Sequence, residues 1–204
     1  MTGITLLIGT TNRAKGREMS EILTASLPAL KTVTLSDLPP LPAIEETGDS
    51  FIENARLKAV GMMQSSGLPT IADDGGLVID ALNGAPGVHS HRFLGENTSF
   101  EEKMRHILEL MKDVPDDQRT CHFECSVVVQ FLNGESIECR GVCSGRIAHE
   151  IKGSNGFGYD PIFYLPEMKC HMAELTPAEK HRISHRGRAM QCVVSKLEQI
   201  VLEE

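Results

Sequence analysis

The spacing of hydrophobic residues predicts a first strand followed by a helix. Apolar residues run without interruption over Ile4–Ile8, as in a buried strand, and a polar turn at residues 9–12 ends the run. A helix is predicted over residues 13–27, because apolar side chains there recur at helical spacing: Met19, Ile22 and Leu23. The chain therefore begins with a strand that feeds a helix.

Two capping boxes predict where later helices begin. In each one, a Ser or Thr precedes a Glu by three residues, so that the two side chains can satisfy free amides of the first turn. Ser50 with Glu53 predicts a helix to about residue 65, and Thr98 with Glu101 a helix to about residue 112. Ser184 is the predicted N-cap of a last helix, which carries an apolar face of Met190, Val193, Leu197 and Ile200.

Further strands and turns follow from apolar runs and from turn residues. Residues 123–131 and 136–143 read as two strands of a hairpin, with Asn133-Gly134 as its turn. Thr70–Ala72 is a strand candidate that we expect to run into a turn at Asp73-Asp74-Gly75-Gly76. Three segments rich in proline or glycine are predicted to be irregular, namely 38–42, 82–95 and 153–159, and a short strand is expected after Asp160-Pro161.

These elements predict an α/β protein with a mixed β-sheet. Helices interleave with strands, which favours parallel pairing, but the hairpin requires antiparallel pairing as well. The chain has no internal repeat and no break in composition, and its 204 residues are predicted to form a single domain over 1–204.

Composition and charge exclude some partners. Lys and Arg number 20 against 28 Asp and Glu, so the net charge is −8, which argues against a surface that grips a nucleic acid polymer. Aromatic residues make up 4% of the chain and Trp is absent, which argues against a stacking platform for single strands. Without a leader-like segment or an apolar run of about 20 residues, we expect a cytoplasmic protein that does not cross a membrane.

The six cysteines are predicted to be reduced. Cys121 and Cys125, like Cys139 and Cys143, have an even spacing that places each pair on one face of a strand. Structural zinc sites instead favour Cys-x-x-Cys knuckles. A disulfide framework and a zinc site are the alternatives to reduced cysteines that pack as small hydrophobic side chains.

The turn after the first strand is a candidate phosphate site. Hydroxyl groups, an amide, backbone N–H groups and a lysine gather where a strand leads into a helix N-terminus, which favours an anion. The segment is not a Walker A loop, and an ordinary polar turn is the alternative. Its residues are Thr10, Thr11, Asn12, Arg13, Ala14 and Lys15.

Adjacent carboxylates make a candidate metal site. Glu45-Glu46 precedes a predicted helix and Asp73-Asp74 follows a predicted strand. Neighbouring carboxylates repel each other, so a hard cation such as Mg²⁺ makes a buried pair easier to tolerate. Two solvated acidic turns are the alternative.

Positive charge gathers near the last helix. Lys180, His181, Arg182, His185, Arg186 and Arg188 lie close together in an otherwise acidic chain. Cations at a helix N-terminus oppose the helix dipole, which makes sense if an anionic or acceptor-rich ligand binds there. A solvated basic face is the alternative.

A glycine-rich segment could bind a nucleobase. Phe157 or Tyr159 could stack on a base, with Gly158 between them, and Asp160 could accept a hydrogen bond from a ring N–H. The glycine spacing differs from the dinucleotide fingerprint, which excludes a Rossmann cofactor site.

Together these segments resemble the non-canonical purine nucleoside triphosphate pyrophosphatases, the inosine triphosphate (dITP/XTP) pyrophosphatase family. The similarity follows the chain in order through six stretches: Thr10-x-Asn12-x-x-Lys15, Glu45 to Gly48 with Phe51 to Ala55, Ala72-Asp73-Asp74, Asp80 to Gly87, Gly156 to Phe163, and Ser184-His185-Arg186-Gly187. Because separated motifs occur in one order, the resemblance is specific.

The resemblance implies a fold, a reaction and a set of roles. It implies two lobes around a long mixed sheet, a nucleotide cleft between the lobes, a homodimer, and Mg²⁺-dependent hydrolysis of ITP, dITP or XTP to a monophosphate and pyrophosphate. Thr10 to Lys15 would hold the triphosphate, Glu46 and Asp74 the metal, and Asp74 would also act as general base. The implied base-binding residues are Phe157, Gly158, Tyr159, Asp160, Lys180, His185 and Arg186.

Some positions depart from the family pattern. Gly75 stands where the family usually has a substrate-contacting serine, so its place in the substrate site would depend on a backbone N–H. His89, His91 and His181 also replace residues usual in the family. A broader nucleotide phosphohydrolase and a catalytically inactive nucleotide-binding protein are therefore the alternative functions.

Overall fold

The computed structural model describes residues 5–202, and side chains within residues 5–200. The strands are β1 Thr5–Ile8, β2 Lys31–Thr34, β3 Thr70–Ile79, β4 Thr120–Gln130, β5 Ser136–Ile147, β6 Phe163–Leu165 and β7 Cys170–His171. The helices are α1 Arg13–Ser26, α2 Phe51–Ser66, α3 Phe100–Leu110, α4 Pro177–Ile183 and α5 His185–Leu202. No helix within this part of the chain combines the length and the apolar character needed to cross a membrane.

The strands form one mixed sheet in the order β2-β1-β3-β4-β5-β6-β7. β1 pairs in parallel with β2 and with β3, whereas β6 pairs antiparallel with β5 and with β7. The predicted α/β class with a mixed sheet is thus confirmed. Ile4, the first residue of the predicted first strand, lies outside the described residues.

The predicted turn at Asp73-Asp74-Gly75-Gly76 is wrong, because β3 continues through it. Acidic and glycine residues normally disfavour a strand. Here cationic side chains compensate the aspartates, and the missing side chain of Gly76 allows another loop to approach. A Cβ at Gly76 would lie 2.6 Å from the carbonyl oxygen of Gly87. Tertiary contacts therefore override the local signal.

One predicted capping box is confirmed, and the other lies one residue later than predicted. The Ser50–Glu53 box caps α2 as predicted. At α3 the reciprocal bonds join Ser99 and Glu102, one residue later than the predicted pair. Both pairs have the required spacing, but the Thr98 hydroxyl donates to the carbonyl of Leu94 and is not the cap.

Other predictions are confirmed, and three elements were missed. The β4–β5 hairpin forms with Gly134 at positive φ, the segment 38–42 is irregular, and Ser184 directly precedes α5. The sequence did not indicate β2, which is only half-buried, or α4, which is one short helix with a Thr176 cap. It also did not indicate β7, which has only two residues.

The described chain divides into two compact units. The first comprises residues 5–74, 125–141 and 185–202, and the second comprises Gly75–Glu124 and Val142–Ser184. In the first unit, α1 and α5 pack on buried strand residues such as Leu6, Ile8 and Val127. In the second, Met104 and Ile107 of α3 pack with Phe123 and Phe163, whose rings stack 4.4 Å apart.

The prediction that all six cysteines are reduced is wrong for two of them. Cys139 of β5 and Cys192 of α5 form a disulfide, with their Cα atoms 6.0 Å apart. Cys139 and Cys143 do share the buried face of β5, as their spacing predicted. Only the packing of α5 on that face brings Cys192 opposite Cys139, and a contact between residues 53 positions apart has no local signal.

Candidate active site

The first unit gathers lysines and carboxylates around the end of its part of β3. We call Lys15, Glu46, Lys58, Asp73 and Asp74 the aspartate cluster. Lys15 Nζ lies 3.4 Å from Asp73 Oδ2 and 3.9 Å from Asp74 Oδ1. Lys58 Nζ lies 3.2 Å from both Asp74 Oδ1 and Glu46 Oε1. Predicted residues from three separate segments therefore meet in one place.

Asp74 is buried, and its surroundings raise its pKa. Burial raises its pKa, and the nearby carboxylates of Glu46 and Asp73 act in the same direction, while Lys58 and Lys15 oppose the shift. The Asn54 amide also lies 3.4 Å from Asp74 Oδ2. A carboxylate whose proton affinity is increased in this way is suited to accept a proton.

Asp73 has a different environment from its neighbour. Burial alone would raise its pKa, but Lys15, Arg186 and Lys58 outweigh burial and hold the pKa well below its usual range. Arg186 donates to Asp73 Oδ2 from Nε and Nη2, at 3.0 and 2.8 Å. No described residue donates a hydrogen bond to the other oxygen, Oδ1, which is buried. Asp73 thus stays ionised.

Arg186 is buried between two carboxylates. Its Nη1 donates to Glu18 Oε2 at 2.8 Å, while its other hydrogen bonds go to Asp73. Burial would lower the pKa of Arg186, but the two carboxylates raise it above the usual arginine range. The structure therefore gives Arg186 a role in holding Asp73, a role that its sequence position did not indicate.

The turn before α1 is built as a helix cap. Asn12 Oδ1 accepts hydrogen bonds from the amides of Ala14 and Lys15 at 3.0 and 3.2 Å, and Asn12 N donates to Thr10 Oγ1. Two amides predicted to face a phosphate are thus already paired with Asn12. Thr11 and Arg13 are exposed beside this cap, and the Lys15 side chain leaves it to join the aspartate cluster.

Residues missed by the sequence reading complete the first unit's site. Lys58 and Asn54 lie on the buried face of α2, which also presents Phe51, Ala55, Ala59 and Met62. Glu18 likewise lies on the buried face of α1 with Met19 and Ile22. A signal existed in the sequence, because polar residues at core-facing positions of a helix need buried partners.

The second unit holds a separate group of predicted residues, Phe157, Asp160 and Lys180, which we call the Asp160 cluster. Asp160 Oδ2 accepts from Lys180 Nζ at 2.6 Å and from the Phe157 amide at 2.8 Å. Lys180 Nζ also lies 4.6 Å from the centre of the Phe157 ring. Asp160 and Lys180 are buried, whereas Phe157 is half-buried. The cluster holds the half-buried ring of Phe157 beside a buried ion pair.

Gly156 is required for this arrangement. Its φ of 73° lies in the left-handed region, and a Cβ there would lie 2.1 Å from Asp160 Oδ2. Gly158, at φ 66°, is a second glycine of the same loop in the left-handed region. The glycine-rich segment thus folds tightly around Asp160.

Tyr159 is placed differently from Phe157. Its side chain is 3% exposed, its ring meets Phe100 edge-on at 5.2 Å, and its hydroxyl donates to the carbonyl of Ser90 at 2.8 Å. A base could therefore stack on Phe157, but the ring of Tyr159 belongs to the second unit's core.

The remaining candidates lie as follows. His185 begins α5 and is buried, and its carbonyl packs so closely on β5 that a Cβ at Gly141 would lie 2.1 Å from it. Gly75 is a half-buried residue of β3.

Two histidines that depart from the family pattern lie beside other side chains. His89 Nδ1 accepts a hydrogen bond from Arg92 Nε at 3.1 Å, and the His91 ring lies 6.3 Å from that of Phe100.

The chain is similar to known proteins over nearly its full length. The model of the Ham1 family matches residues 6–196. A dITP/XTP pyrophosphatase of Vibrio cholerae is 44% identical over 95% of this chain and 96% of its own, and one of Bacillus cereus is 41% identical over 98% and 97%.

Solved structures agree with this match. A HAM1 protein from Coxiella burnetii has a TM-score of 0.86 and 38% identity, covering 96% of this chain and 99% of its own. A nucleoside-triphosphatase, dITP/XTP pyrophosphatase, from Mycobacterium abscessus has a TM-score of 0.73 and 36% identity, covering 93% and 98%. The order of motifs, the fold and these matches agree, and the chain belongs to the Ham1 family.

Proposed function

We propose that this protein hydrolyses non-canonical purine nucleoside triphosphates, namely ITP, dITP and XTP, to the monophosphate and pyrophosphate. The observation that carries the proposal is the aspartate cluster, where lysines able to bind phosphate stand next to a carboxylate suited to accept a proton. Relatives named dITP/XTP pyrophosphatase, matched over nearly the full chain, support the same activity and substrates.

The aspartate cluster fits a divalent cation. Glu46 and Asp74 already share one positive charge, the ammonium of Lys58, and Asp73 Oδ1 is a buried carboxylate oxygen with no hydrogen-bond donor among the described residues. The described side chains form no ready cage of three or more metal-binding groups. Mg²⁺ suits such a site, because proteins usually bind it through one or two carboxylates together with substrate phosphates.

We assign Glu46 and Asp74 as the residues that would hold Mg²⁺. When bound, Mg²⁺ would neutralise the charge that develops on the phosphates and orient a water molecule for attack on the α-phosphorus. Lys15, whose ammonium reaches the same carboxylates, would bind phosphate oxygens. Thr10, Thr11, Asn12, Arg13 and Ala14 would complete the triphosphate site.

Asp74 would act as general base. It would take a proton from the attacking water as the new oxygen–phosphorus bond forms, while the bond to the leaving pyrophosphate breaks. Asp73, which Arg186 keeps ionised, would not compete for that proton. The adjacent aspartates would thus have different tasks because their environments shift their pKa values in opposite directions.

The Asp160 cluster would bind the purine base. Phe157 offers a half-buried ring for stacking, next to the ammonium of Lys180 and the carboxylate of Asp160. Gly158 and Tyr159 belong to the same loop, and Gly75 would contribute only through its backbone. Hypoxanthine and xanthine carry a keto oxygen at C6 where adenine carries an amine, so donors would favour them over adenine.

His185 and Arg186 are the donors that we assign to this discrimination. In the structure, the Arg186 guanidinium donates to Asp73 and Glu18. Because the loss of a donor to the C6 keto oxygen would weaken the recognition of ITP more than that of ATP, an Arg186→Ala variant should lower the ratio of ITP to ATP turnover. If that ratio is unchanged in a folded variant, Arg186 does not read the base.

One assay separates the proposed function from its alternatives. Pyrophosphate release is measured separately from dITP, ITP and XTP, and from ATP and GTP as comparison substrates, each with and without Mg²⁺. The proposal expects turnover of the first three substrates only, and only with Mg²⁺. Equal turnover of all five would indicate a broader phosphohydrolase. Saturable binding without turnover would indicate an inactive nucleotide-binding protein.

The resemblance also implies a homodimer in the cytoplasm that acts on a small nucleotide and binds neither nucleic acid polymers nor membranes. Light scattering coupled to size-exclusion chromatography tests the dimer directly. A homodimer has twice the 22.3 kDa mass of the chain, and a particle of the single mass would contradict it.

A further inference from the structure

Ser90 connects β3 to the glycine-rich loop of the second unit. Its hydroxyl accepts a hydrogen bond from the Leu77 amide at 2.9 Å and donates to the Gly87 carbonyl at 2.7 Å. Its own carbonyl accepts from the Tyr159 hydroxyl at 2.8 Å. Ser90 is 6% exposed. Ser90 is therefore hydrogen-bonded both to β3, through Leu77, and to the glycine-rich loop, through Tyr159.

The surrounding chain brings Ser90 to this position. Residues 79–86 fold back on β3, with hydrogen bonds from Ile79 N to Ala85 O and from Gly84 N to Ile79 O. Pro86 then forms a bridge with Val78. A Cβ at Gly76 would lie only 2.2 Å from Ser90 Oγ, so the glycine is needed for this approach.

Among the described residues, the Tyr159 hydroxyl is shown hydrogen-bonded to the carbonyl of Ser90. Burial raises the pKa of its hydroxyl, which therefore stays protonated and able to donate to Ser90. Its ring contacts Phe100, and Phe100 in turn lies 5.0 Å below the ammonium of Lys103. That ammonium donates to the carbonyl of His91, the residue after Ser90. Side chains of the loop and of α3 thus hold two consecutive carbonyls.

We propose that Ser90 and Tyr159 are positioning residues for nucleobase binding: Tyr159 fixes the Phe157–Asp160 loop by donating to Ser90, and Ser90 fixes itself to β3 at Leu77. Neither hydroxyl touches the base in this arrangement. The inference rests on the proposed function, because it takes the Asp160 cluster as the base site. It changes the role of Tyr159 from a base contact to a support of Phe157 and Asp160.

The physical reason is the cost of ordering a glycine-rich loop. Two glycines with positive φ, Gly156 and Gly158, leave this loop many alternative conformations. If the Tyr159–Ser90 bond is lost, base binding must also order the loop, and the affinity for the base falls. A phosphate ligand that does not use the loop is unaffected.

The test compares a ligand that carries the base with one that does not. Ser90→Ala, Tyr159→Phe and the double variant are titrated calorimetrically with inosine monophosphate and with inorganic tripolyphosphate. Tyr159→Phe should weaken the binding of inosine monophosphate roughly five- to twentyfold, as expected for one buried hydrogen bond. Ser90→Ala, which removes both hydrogen bonds of the Ser90 hydroxyl, should weaken it by at least as much. Tripolyphosphate affinity should change less than about twofold. The double variant should bind inosine monophosphate no more weakly than the weaker-binding single variant, because the two substitutions break successive links of one connection between the loop and β3.

Matched controls are available in the same unit. Tyr164→Phe is the same chemical change at the chain's other tyrosine, which packs against His171. Ser144→Ala removes an exposed hydroxyl from β5. Both controls should bind inosine monophosphate as the unaltered protein does.

Contrary outcomes are distinct. An unchanged inosine monophosphate affinity in Tyr159→Phe, equal losses for both ligands, or losses that add in the double variant would overturn the positioning role. If Ser90→Ala does not fold, Tyr159→Phe decides alone. Failure of the unaltered protein to bind inosine monophosphate or turn over ITP would instead reject the proposed function.

Discussion

Two N–H groups of Arg186 converge on a single oxygen of Asp73, Nε at 3.0 Å and Nη2 at 2.8 Å from Oδ2. Residues that lie 113 positions apart in the chain thereby set the ionisation of the aspartate next to the proposed general base. The third nitrogen, Nη1, binds Glu18, so the guanidinium also joins α1 to α5.

Removal of the Arg186 side chain should destabilise the fold. Arg186→Ala removes the buried guanidinium that pairs with Asp73 and Glu18, and the loss of one member of a buried ion pair costs about 3 to 5 kcal/mol. Urea unfolding measures the change in free energy. Arg188→Ala, two residues later and exposed, should change it by less than about 0.5 kcal/mol. Equal effects of the two variants would contradict the buried role of Arg186.

Asp74→Asn should abolish turnover and leave the fold intact. The substitution keeps the size of the side chain but removes the proton acceptor. The lost attraction to Lys58 is offset by removal of a buried charge that Glu46 and Asp73 repel. Turnover of ITP and the melting temperature are measured on the same preparation. Near-normal turnover would refute the general-base assignment.

The same variant should reveal the raised pKa of Asp74 through stability. In metal-free buffer, the folded protein binds a proton at Asp74 at a higher pH than the unfolded chain does. In the unaltered protein, Asp74 therefore contributes more to the free energy of unfolding as pH falls through its raised pKa. This contribution is lost as pH rises. The difference in unfolding free energy, native protein minus Asp74→Asn, should increase from pH 7 towards pH 4. A decrease over this range would show that the pKa is lowered.

Glu46→Gln should raise the Mg²⁺ concentration needed for half-maximal activity by roughly tenfold or more, because an amide oxygen is a weaker ligand for a hard cation than a carboxylate. Glu45→Gln is the matched control, since Glu45 is adjacent and exposed. Titration of ITP turnover with Mg²⁺ measures both. The same Mg²⁺ requirement in both variants would exclude Glu46 as a metal ligand.

The Cys139–Cys192 disulfide should stabilise the first unit. Closing a loop with a sequence separation of 53 is worth about 4 kcal/mol through the entropy of the unfolded chain. Cys192→Ser should therefore unfold at lower urea concentration than the oxidised protein. Peptide mapping without reductant should recover the two cysteines linked, and recovery of both as thiols would contradict the disulfide.

Local signals were sufficient for much of the fold. Helical spacing located α1, the Ser50–Glu53 box located the start of α2, and Asn-Gly located the β4–β5 turn, because each depends on residues within a few positions. The same signals failed at β3, where Asp73 to Gly76 read as a turn. Those residues stay extended because lysines, Arg186 and the Ser90 loop meet them from distant parts of the chain.

The sequence by itself determined the α/β class, the mixed sheet and the family, because periodicity, caps and the order of motifs are properties of the chain. It also identified Lys15 as a candidate phosphate-binding residue and Glu46 and Asp74 as candidate metal-binding residues. Only the tertiary structure decided that Lys58 joins Glu46 to Asp74 and that Arg186 holds Asp73. It also placed the ring of Tyr159, which was expected to bind the base, in the core of the second unit. Burial, ion pairing and the resulting pKa shifts arise between residues far apart in the sequence, so no local pattern encodes them.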